Sequence, residues 1–357
     1  VFCVIDSETF DLVEGMSKTE INKLWWLSET AVTLSMDKMT ATVNVIGANV
    51  GTITAITSAS SKATVVVDGK KVIITGVAAG SATITVSNSN GGSQLIAVTV
   101  ATGFPSATLR NNTPAQIQAA ARAGIAASLW SVGDRIGMLI NGAVGIMNLN
   151  TTRYAYILGF DHNAAIEGAN TIHFQLGFTG TGSSSVNIAF CDSSYDSSTT
   201  TGFCMNTTAD TTGGWAASFM RNTICPAFLA AMPSEWQAVI SPCTKYTDNV
   251  GGSSSTPASV SSTADRIFLL SQFEVTGTSS QYVNPGEEIA QKQYAYFANG
   301  NSKIKYKSGA TSTACDWWTR TPRYQDATRF RNVGTDGSVY SNTTDKSKGF
   351  APAFMVA

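Results

Sequence analysis

The sequence predicts a mainly β chain with an α+β C-terminal domain: a β-sandwich first, then a larger mixed domain. Three observations carry that expectation. A length of 357 residues exceeds one ordinary core and suits two or three domains. Hydrophobic residues make up 43% and charged residues 13%, and the 31 glycines with abundant Ser, Thr and Asn mark a loop-rich β composition rather than a disordered one. Between residues 29 and 102, apolar and polar residues alternate in short runs, the period of a half-buried strand.

Residues 1–28 form a first segment. Its one helical signal is Ser17 and Glu20 in the spacing of a capping box, ahead of Ile21, Leu24, Trp25 and Leu27. A helix that short must bury its tryptophan-bearing face, on its own chain or on a partner subunit. In residues 29–102, Val65–Val67 runs through Asp68-Gly69, a hairpin-turn dipeptide, into Val72–Ile74, and Gly76 and Gly80 precede Ala82–Val86. About seven such strands make a sandwich. No cysteine lies within it, so packing alone must hold it.

Residues 103–357 are the largest and least regular segment. Thr113 as N-cap and Pro114 at the first helical position open a helix with Ile117, Ala121 and Ile125 on one face. Strand-like runs follow at 135–140, 154–160 and 172–178, and a helical stretch over 214–232 is interrupted at Pro226. Residues 249–263 read as a long Ser/Gly-rich loop. Strand-like runs close the chain at 267–270, 317–319 and 351–356.

Several function classes are disfavoured. Lys plus Arg total 23 against 24 Asp plus Glu, so no long-range field gathers nucleic acid or anionic lipid. No run of about 18 apolar residues is present, so membrane insertion is not expected. The start has no basic region and too short an apolar run for a signal peptide, which favours cytoplasmic synthesis. The six cysteines include no C-x-x-C pair, and buried free thiols are expected, with a Cys191–Cys204 bridge as the alternative. Two histidines, His162 and His173, are too few for a His-based metal cluster or a triad with many candidate bases, so neither cofactor nor metal is expected. His162, between Asp161 and Asn163, is the one position that invites inspection.

Thr33-Leu34-Ser35, the Asp68-Gly69 turn, residues Ile74 to Val86 and Val98-Thr99-Val100 resemble bacterial immunoglobulin-like domains of the intimin type. That resemblance implies a rigid spacer over 29–102. Four further stretches, in order, resemble a family of phage and gut-bacterial proteins with a C-type-lectin-like fold. They are Leu129 to Asp134, Ile157 to Asn163, Ile172 to Gly177, and Trp317 to Pro322 together with Gly349 to Phe354. This implies a lectin-like domain over 103–357, in which the Trp-Trp and Pro-Ala-Phe strands frame loops that several phages diversify by copying an adenine-mutated template. Metal-dependent sugar binding in lectins of this fold uses Glu-Pro-Asn or Gln-Pro-Asp with Trp-Asn-Asp. Here Asn284 to Glu288 and Cys315-Asp316-Trp317 do not match, which disfavours calcium as a ligand bridge. The same broad fold hosts an oxidase with paired cysteines, and Cys315 has no cysteine close in sequence.

The resemblance places the ligand surface between Arg320 and Lys348, and composition points to the same stretch, since Tyr, Trp and Arg dominate binding surfaces. The candidate contacts are Trp318, Arg320, Arg323, Tyr324, Gln325, Asp326, Arg329, Phe330, Arg331, Tyr340, Asn342 and Asp345. Trp317 and Trp318, as neighbours on a strand, are expected to face opposite sides. The implied function is non-enzymatic display on a phage virion, binding a host-cell receptor or glycan. Residues 1–28 would dock to other virion proteins, and a closed homo-oligomer suits such a fibre. The alternatives are a purely structural capsid or tail decoration protein and a bacterial cell-surface adhesin.

Overall fold

The computed structural model describes residues 2–5, 10–13, 24–47, 50–252 and 257–357. The chain divides into two units, Val1–Ala107 and Thr108–Ala357, where the sequence reading puts the boundary at 102/103. The architecture is mainly β. Among the described residues no helix is long and apolar enough to cross a membrane.

In the first unit, β1 (Phe2–Ile5) pairs antiparallel with β2 (Phe10–Val13). Ser17, Glu20 and Ile21, the start of the expected helix, lie outside the described residues. Its expected end is not helical: Trp26–Leu27 forms β3, paired with Ile46 and Val45. The remaining strands are β4 (Ala31–Leu34), β5 (Thr40–Ile46), β6 (Ile53–Thr57), β7 (Ala63–Asp68), β8 (Lys71–Gly76), β9 (Gly80–Asn88) and β10 (Ser93–Val100). They form two four-stranded sheets, β4-β10-β9-β6 and β3-β5-β8-β7, with β4 parallel to β10.

Period-two patterning sets which face is buried. Val43, Val72, Ile74, Ile84, Val86 and Ile96 are fully buried while their strand neighbours face outward. Asp68 pairs with Lys71, so the β7–β8 turn is Gly69-Lys70, with Gly69 at φ +57°. Gly76 has a different reason: a Cβ there would stand 2.5 Å from the Phe104 ring.

In the second unit a 3-10 turn at Leu109–Asn111 precedes the helix Pro114–Arg122, whose Thr113 hydroxyl accepts from the Gln116 amide while the Gln116 side chain accepts from the Thr113 amide. Ile117 and Ala121 face the core, as expected. The main sheet has the order β11-β12-β13-β23-β15. Its strands are β11 (Arg135–Val144), β12 (Met147–Phe160), β13 (Ile172–Phe178), β15 (Ile240–Ser241) and β23 (Ala353–Val356), and the short β14 is Ile188–Ala189. The last strand thus enters between β13 and β15, and Gln118 and Arg122 donate to the Ala357 carbonyl at 2.8 and 3.3 Å.

Around this sheet lie β16 (Cys243–Asp248) with β17 (Val260–Asp265), β18 (Lys305–Lys307) with β19 (Ala310–Cys315), and a three-stranded sheet of β20 (Trp317–Pro322), β21 (Arg329–Val333) and β22 (Val339–Thr343). The supposed loop 249–263 is therefore partly strand, because Val260–Asp265 pairs with Cys243–Asp248. Residues 267–270 are buried but not a strand; only Phe268 bridges, to Ala353. The 214–232 stretch divides into the helix Gly214–Ala217, a π-turn at Met220–Ile224 and the helix Cys225–Ala231, with Pro226 in the first turn of the last.

Ile74→Ala removes a fully buried side chain from the first unit, and a loss of about 2–5 kcal/mol is expected. Ile56→Ala, at a residue 69% exposed, should shift stability by no more than about 0.5 kcal/mol. Amide exchange along β5 and β8 in the full chain reads both, and similar shifts would overturn the inward-outward assignment.

Candidate functional site

All six residues of β20 are buried. The expected alternation of Trp317 and Trp318 is overturned, since both are fully enclosed. Trp317 Nε1 donates to the Lys303 carbonyl at 3.0 Å and Trp318 Nε1 to the Phe203 carbonyl at 2.9 Å. A strand covered on both faces has no outward side. Trp318 therefore does not reach a ligand, and neither do Arg320 and Phe330, each fully buried, nor Arg331, which is 6% exposed.

Arg320 belongs instead to a buried ion network. Its Nη1 donates to Glu274 Oε2 at 2.6 Å and to the Leu269 carbonyl at 2.8 Å, Nη2 to Glu274 Oε1 at 3.1 Å, and Nε to Thr247 Oγ1 at 3.1 Å. Lys245 on β16 uses all three of its donors: Glu167 Oε1 at 2.6 Å, Glu274 Oε1 at 2.9 Å and the Tyr294 hydroxyl at 2.9 Å. Glu274 is positioned locally. It is the third residue of the helix Gln272–Thr276, its amide donates to Ser271 Oγ at 3.0 Å, and its Oε2 accepts from the Ser271 amide at 2.9 Å.

Both histidines reach the same cluster. At the exit of β12, Asp161 and Asn163 adopt left-handed φ values of +47° and +46°, which Asp and Asn tolerate because their side chains bond nearby backbone. Asp161 Oδ1 accepts from the Thr171 amide at 2.9 Å. That turn brings the His162 ring onto Tyr294, stacked at 3.7 Å, and the short helix Ala164–Glu167 carries Glu167 to Lys245.

Burial governs the ionisation. His162 falls to about 3, by burial first and then by Lys245, and His173 is likewise pushed well below its ordinary value by burial and Lys245. Burial would raise Glu274, but Arg320 and Lys245 together outweigh it and hold it ionised well below the usual carboxylate range. Lys245 stays protonated: burial pulls it down, and Cys243, Glu274, Tyr294 and Glu167 more than offset that. Burial raises Glu167 to about 7 against the pull of Lys245. Glu287, whose Oε1 accepts from Thr321 Oγ1 at 2.5 Å and Oε2 from the Asp248 amide at 3.1 Å, is also raised to about 7 by burial.

The outward candidates sit on the rim of this network. Gln325, Arg329 and Tyr340 are exposed, and Arg323, Tyr324, Asp326, Asn342 and Asp345 are half-buried. Asp326 takes Arg323 at 3.2 Å and Arg329 at 3.4 Å, and its Oδ1 accepts from the Thr328 amide at 2.9 Å, which closes the turn between β20 and β21. Tyr340 lies opposite Asn332 on the β21–β22 ladder, three rungs or about 10 Å from Arg329, and donates to Asp336 at 2.9 Å.

Tyr282, 40% exposed, was not among the expected contacts. The Arg323 and Arg331 guanidinium groups lie 5.0 and 5.3 Å from its ring centroid, and Arg331 Nε donates to Gln272 Oε1 at 2.7 Å. Tyr282 lies 41 residues before Arg323 in a Ser/Thr-rich loop, and only its being a large exposed aromatic there could have flagged it.

The described cysteines, Cys191, Cys204, Cys225, Cys243 and Cys315, are free, so Cys191 and Cys204 are not bridged. Cys315 does have a cysteine neighbour in space: the Cys191 thiol hydrogen-bonds to it, which raises Cys191 far above its ordinary value and lowers Cys315.

Glu274→Ala would leave Lys245 and Arg320 buried without their shared acceptor and should cost about 3–5 kcal/mol. Urea unfolding measures it, and a loss under about 1 kcal/mol would mean that water screens the pair. Glu287 supplies a pH test. Its folded value of about 7 lies above the ordinary 4.5, so the folded state holds this proton more tightly than the unfolded chain. Its contribution is full below about pH 4.5 and is lost as pH rises through about 7. Glu287→Gln can still accept from the Asp248 amide and donate its NH2 to Thr321 Oγ1, as the protonated carboxyl can, so it should match the native protein in acid and exceed it near pH 8 by at most about 3 kcal/mol. Urea midpoints of the pair at both pH values decide it, and a constant difference would rule out the raised carboxyl.

Residues 185–357 match a family described as a domain of unknown function, DUF6273. None of the curated proteins matches the chain. Among solved structures, the chain is similar to domains 4 and 5 of the S-layer protein SbsC, at 23% identity over 22% of this chain and 51% of that one, with a TM-score of 0.20. A structure of domains 5–6 of SbsC is similar at 16% identity over 46% of this chain and 61% of that one, also with a TM-score of 0.20. The chain thus spans 51% and 61% of the lengths of these two solved structures.

Proposed function

We propose that residues 108–357 are a C-type-lectin-like recognition domain, carried by an immunoglobulin-like spacer on a phage virion, that binds a host-cell receptor or glycan through the rim formed by Tyr282, Arg323, Tyr324, Gln325, Arg329 and Tyr340. One observation carries this reading. Outward Arg and Tyr side chains cluster over strands whose inward residues are fully locked, with Arg323 and Arg331 lying over the Tyr282 ring. Stiff aromatics and planar guanidinium groups supply contact area and hydrogen bonds with little ordering cost. A purely structural decoration protein or a cell-surface adhesin is the alternative, and exposed aromatic and Arg side chains favour recognition over bracing.

The reading is non-enzymatic. Lys245, Glu274 and Arg320 are at most 1% exposed, so no reactant reaches them. The Cys191–Cys315 contact is the one feature shared with a paired-cysteine oxidase, but Cys315, the more acidic thiol, is fully buried. Because many copies on one particle raise avidity, weak single-site binding suffices.

Glycan-array and host-cell pull-down binding should fall more than about tenfold in the triple variant Tyr324→Ala, Arg329→Ala, Tyr340→Ala, with thermal unfolding unchanged. Binding that survives the triple variant would overturn the rim assignment. No ligand on arrays or host surfaces would favour the decoration protein.

A further inference from the structure

His162 and His173, eleven positions apart on either side of a turn, meet in the core with ring centroids 5.6 Å apart. His173 Nδ1 lies 3.0 Å from the Tyr294 hydroxyl, so its Nε2 faces the other way, 3.7 Å from Glu167 Oε2. His162 Nε2 lies 4.0 Å from Glu274 Oε1. Three atoms, His162 Nε2, His173 Nε2 and Glu167 Oε2, are buried and have no hydrogen-bond partner among the described residues. Buried polar atoms are almost always satisfied, so orphans of this kind point to a partner outside the protein, an ion or a water. Cys243 adds a sulfur: its Sγ, a His173 nitrogen and a Glu167 oxygen lie within 4.8 Å of one another, as do atoms of His162, Glu167 and Glu274.

We propose that His162 Nε2, His173 Nε2, Glu167 Oε2 and Cys243 Sγ form a closed site for a zinc-type dication. Zinc bonds of about 2.0–2.3 Å set tetrahedral ligand atoms about 3.3–3.8 Å apart. The 3.7 Å between His173 and Glu167 already fits, Cys243 Sγ lies within 4.8 Å of ligand atoms on both, and His162, outside that triad, must turn toward it to complete the tetrahedron. Mixed nitrogen, sulfur and carboxylate donors select zinc over calcium or magnesium.

Charge closes as well. Two neutral imidazoles, the Glu167 carboxylate and the Cys243 thiolate, formed by releasing the thiol proton, cancel the dication. Glu167 Oε1 stays with Lys245 while Oε2 turns to the metal, and Lys245 and Arg320 face Glu274 and Glu287. Tyr294 orients His173 from its far nitrogen, as metal-bound histidines are usually oriented. With every side sealed, the ion is structural and leaves no open coordination position. This departs from the sequence expectation of no metal and does not depend on the proposed rim.

The test uses the full chain, stripped with a chelator, desalted and titrated with zinc chloride alone or cobalt chloride alone. One ion per chain is expected, with a raised thermal midpoint, tetrahedral cobalt bands in the visible and a thiolate-to-cobalt band in the near ultraviolet. Affinity should fall more than about 100-fold in the double variant His162→Gln, His173→Gln. Cys243→Ser, nearly isosteric, should lose the near-ultraviolet band while keeping the native circular dichroism, which guards against a double variant that fails to fold. No stoichiometric ion in the native chain, undiminished binding in a folded double variant, or an octahedral cobalt spectrum without a thiolate band would each overturn the site.

Discussion

One buried carboxylate, Glu274, holds the second unit in register. An ionised carboxylate taken out of water costs several kcal/mol, and that cost is offset only where the geometry is close and the remaining lone pairs are used. Here Arg320 grips it with two nitrogens, Lys245 adds a third contact and the Ser271 amide a fourth. Those four donors come from β20, β16 and the turn before the helix Gln272–Thr276. Three pieces of chain separated by long intervals are therefore pinned to one group. A fork such as Arg320 fixes orientation as well as distance, which a lysine in its place would not.

From this anchor the constraint passes outward by contact. Gln272, beside the anchor, donates its amide to Thr321 Oγ1 and accepts from Arg331 on its side-chain oxygen. Arg331 lies over the Tyr282 ring, and Thr319 Oγ1 donates to the Arg331 carbonyl. The β20–β21 ladder is irregular between Trp318 and Pro322, so side chains rather than an unbroken ladder fix these strands. A half-exposed ring thus rests on a guanidinium that is held from below, which orders the ring within the protein itself.

Legibility in the sequence follows the number of layers a strand faces. In the first unit each strand has one buried side, so a period of two in the residues is a period of two in the fold, and Val43, Ile74 and Val86 fall inward as the pattern requires. The hairpin turn at Gly69 and the Thr113 cap are readable for the same reason: their chemistry is local. β20 is covered on both sides, and there alternation carries no information, which is why Trp318 and Arg320 read as surface groups. An Arg among Tyr and Asp residues reads as binding composition whether it points to solvent or to a buried Glu274 some 46 residues away. Glu274 itself has a local signature, the Ser271-x-x-Glu274 capping box, but nothing local announces that its carboxylate also serves Lys245. Two histidines look too few for a cluster when they are counted alone, yet His173 meets Glu167 and Cys243, and His162 meets Glu167 and Glu274, all brought from other elements.

The same geometry explains how a surface of this kind can change its residues without unfolding. Substitutions at exposed positions away from caps and networks usually shift stability by about 0.5 kcal/mol or less, whereas stranding a buried charge costs about 3–5 kcal/mol. Along residues 317–345 these two classes fall at different positions. β20 holds Trp317 to Pro322, all enclosed, whereas solvent reaches Gln325 in the turn, Arg329 at the very start of β21 and Tyr340 on β22. Arg331 and Asn332 sit between them, facing inward to Gln272 and to Asn342. Outward positions can therefore exchange one polar or aromatic side chain for another while the charges that order the backbone stay in place. That separation of a fixed ionic frame from exposed side chains is what the proposed recognition surface would require, and it follows from which strand in this short stretch is covered twice.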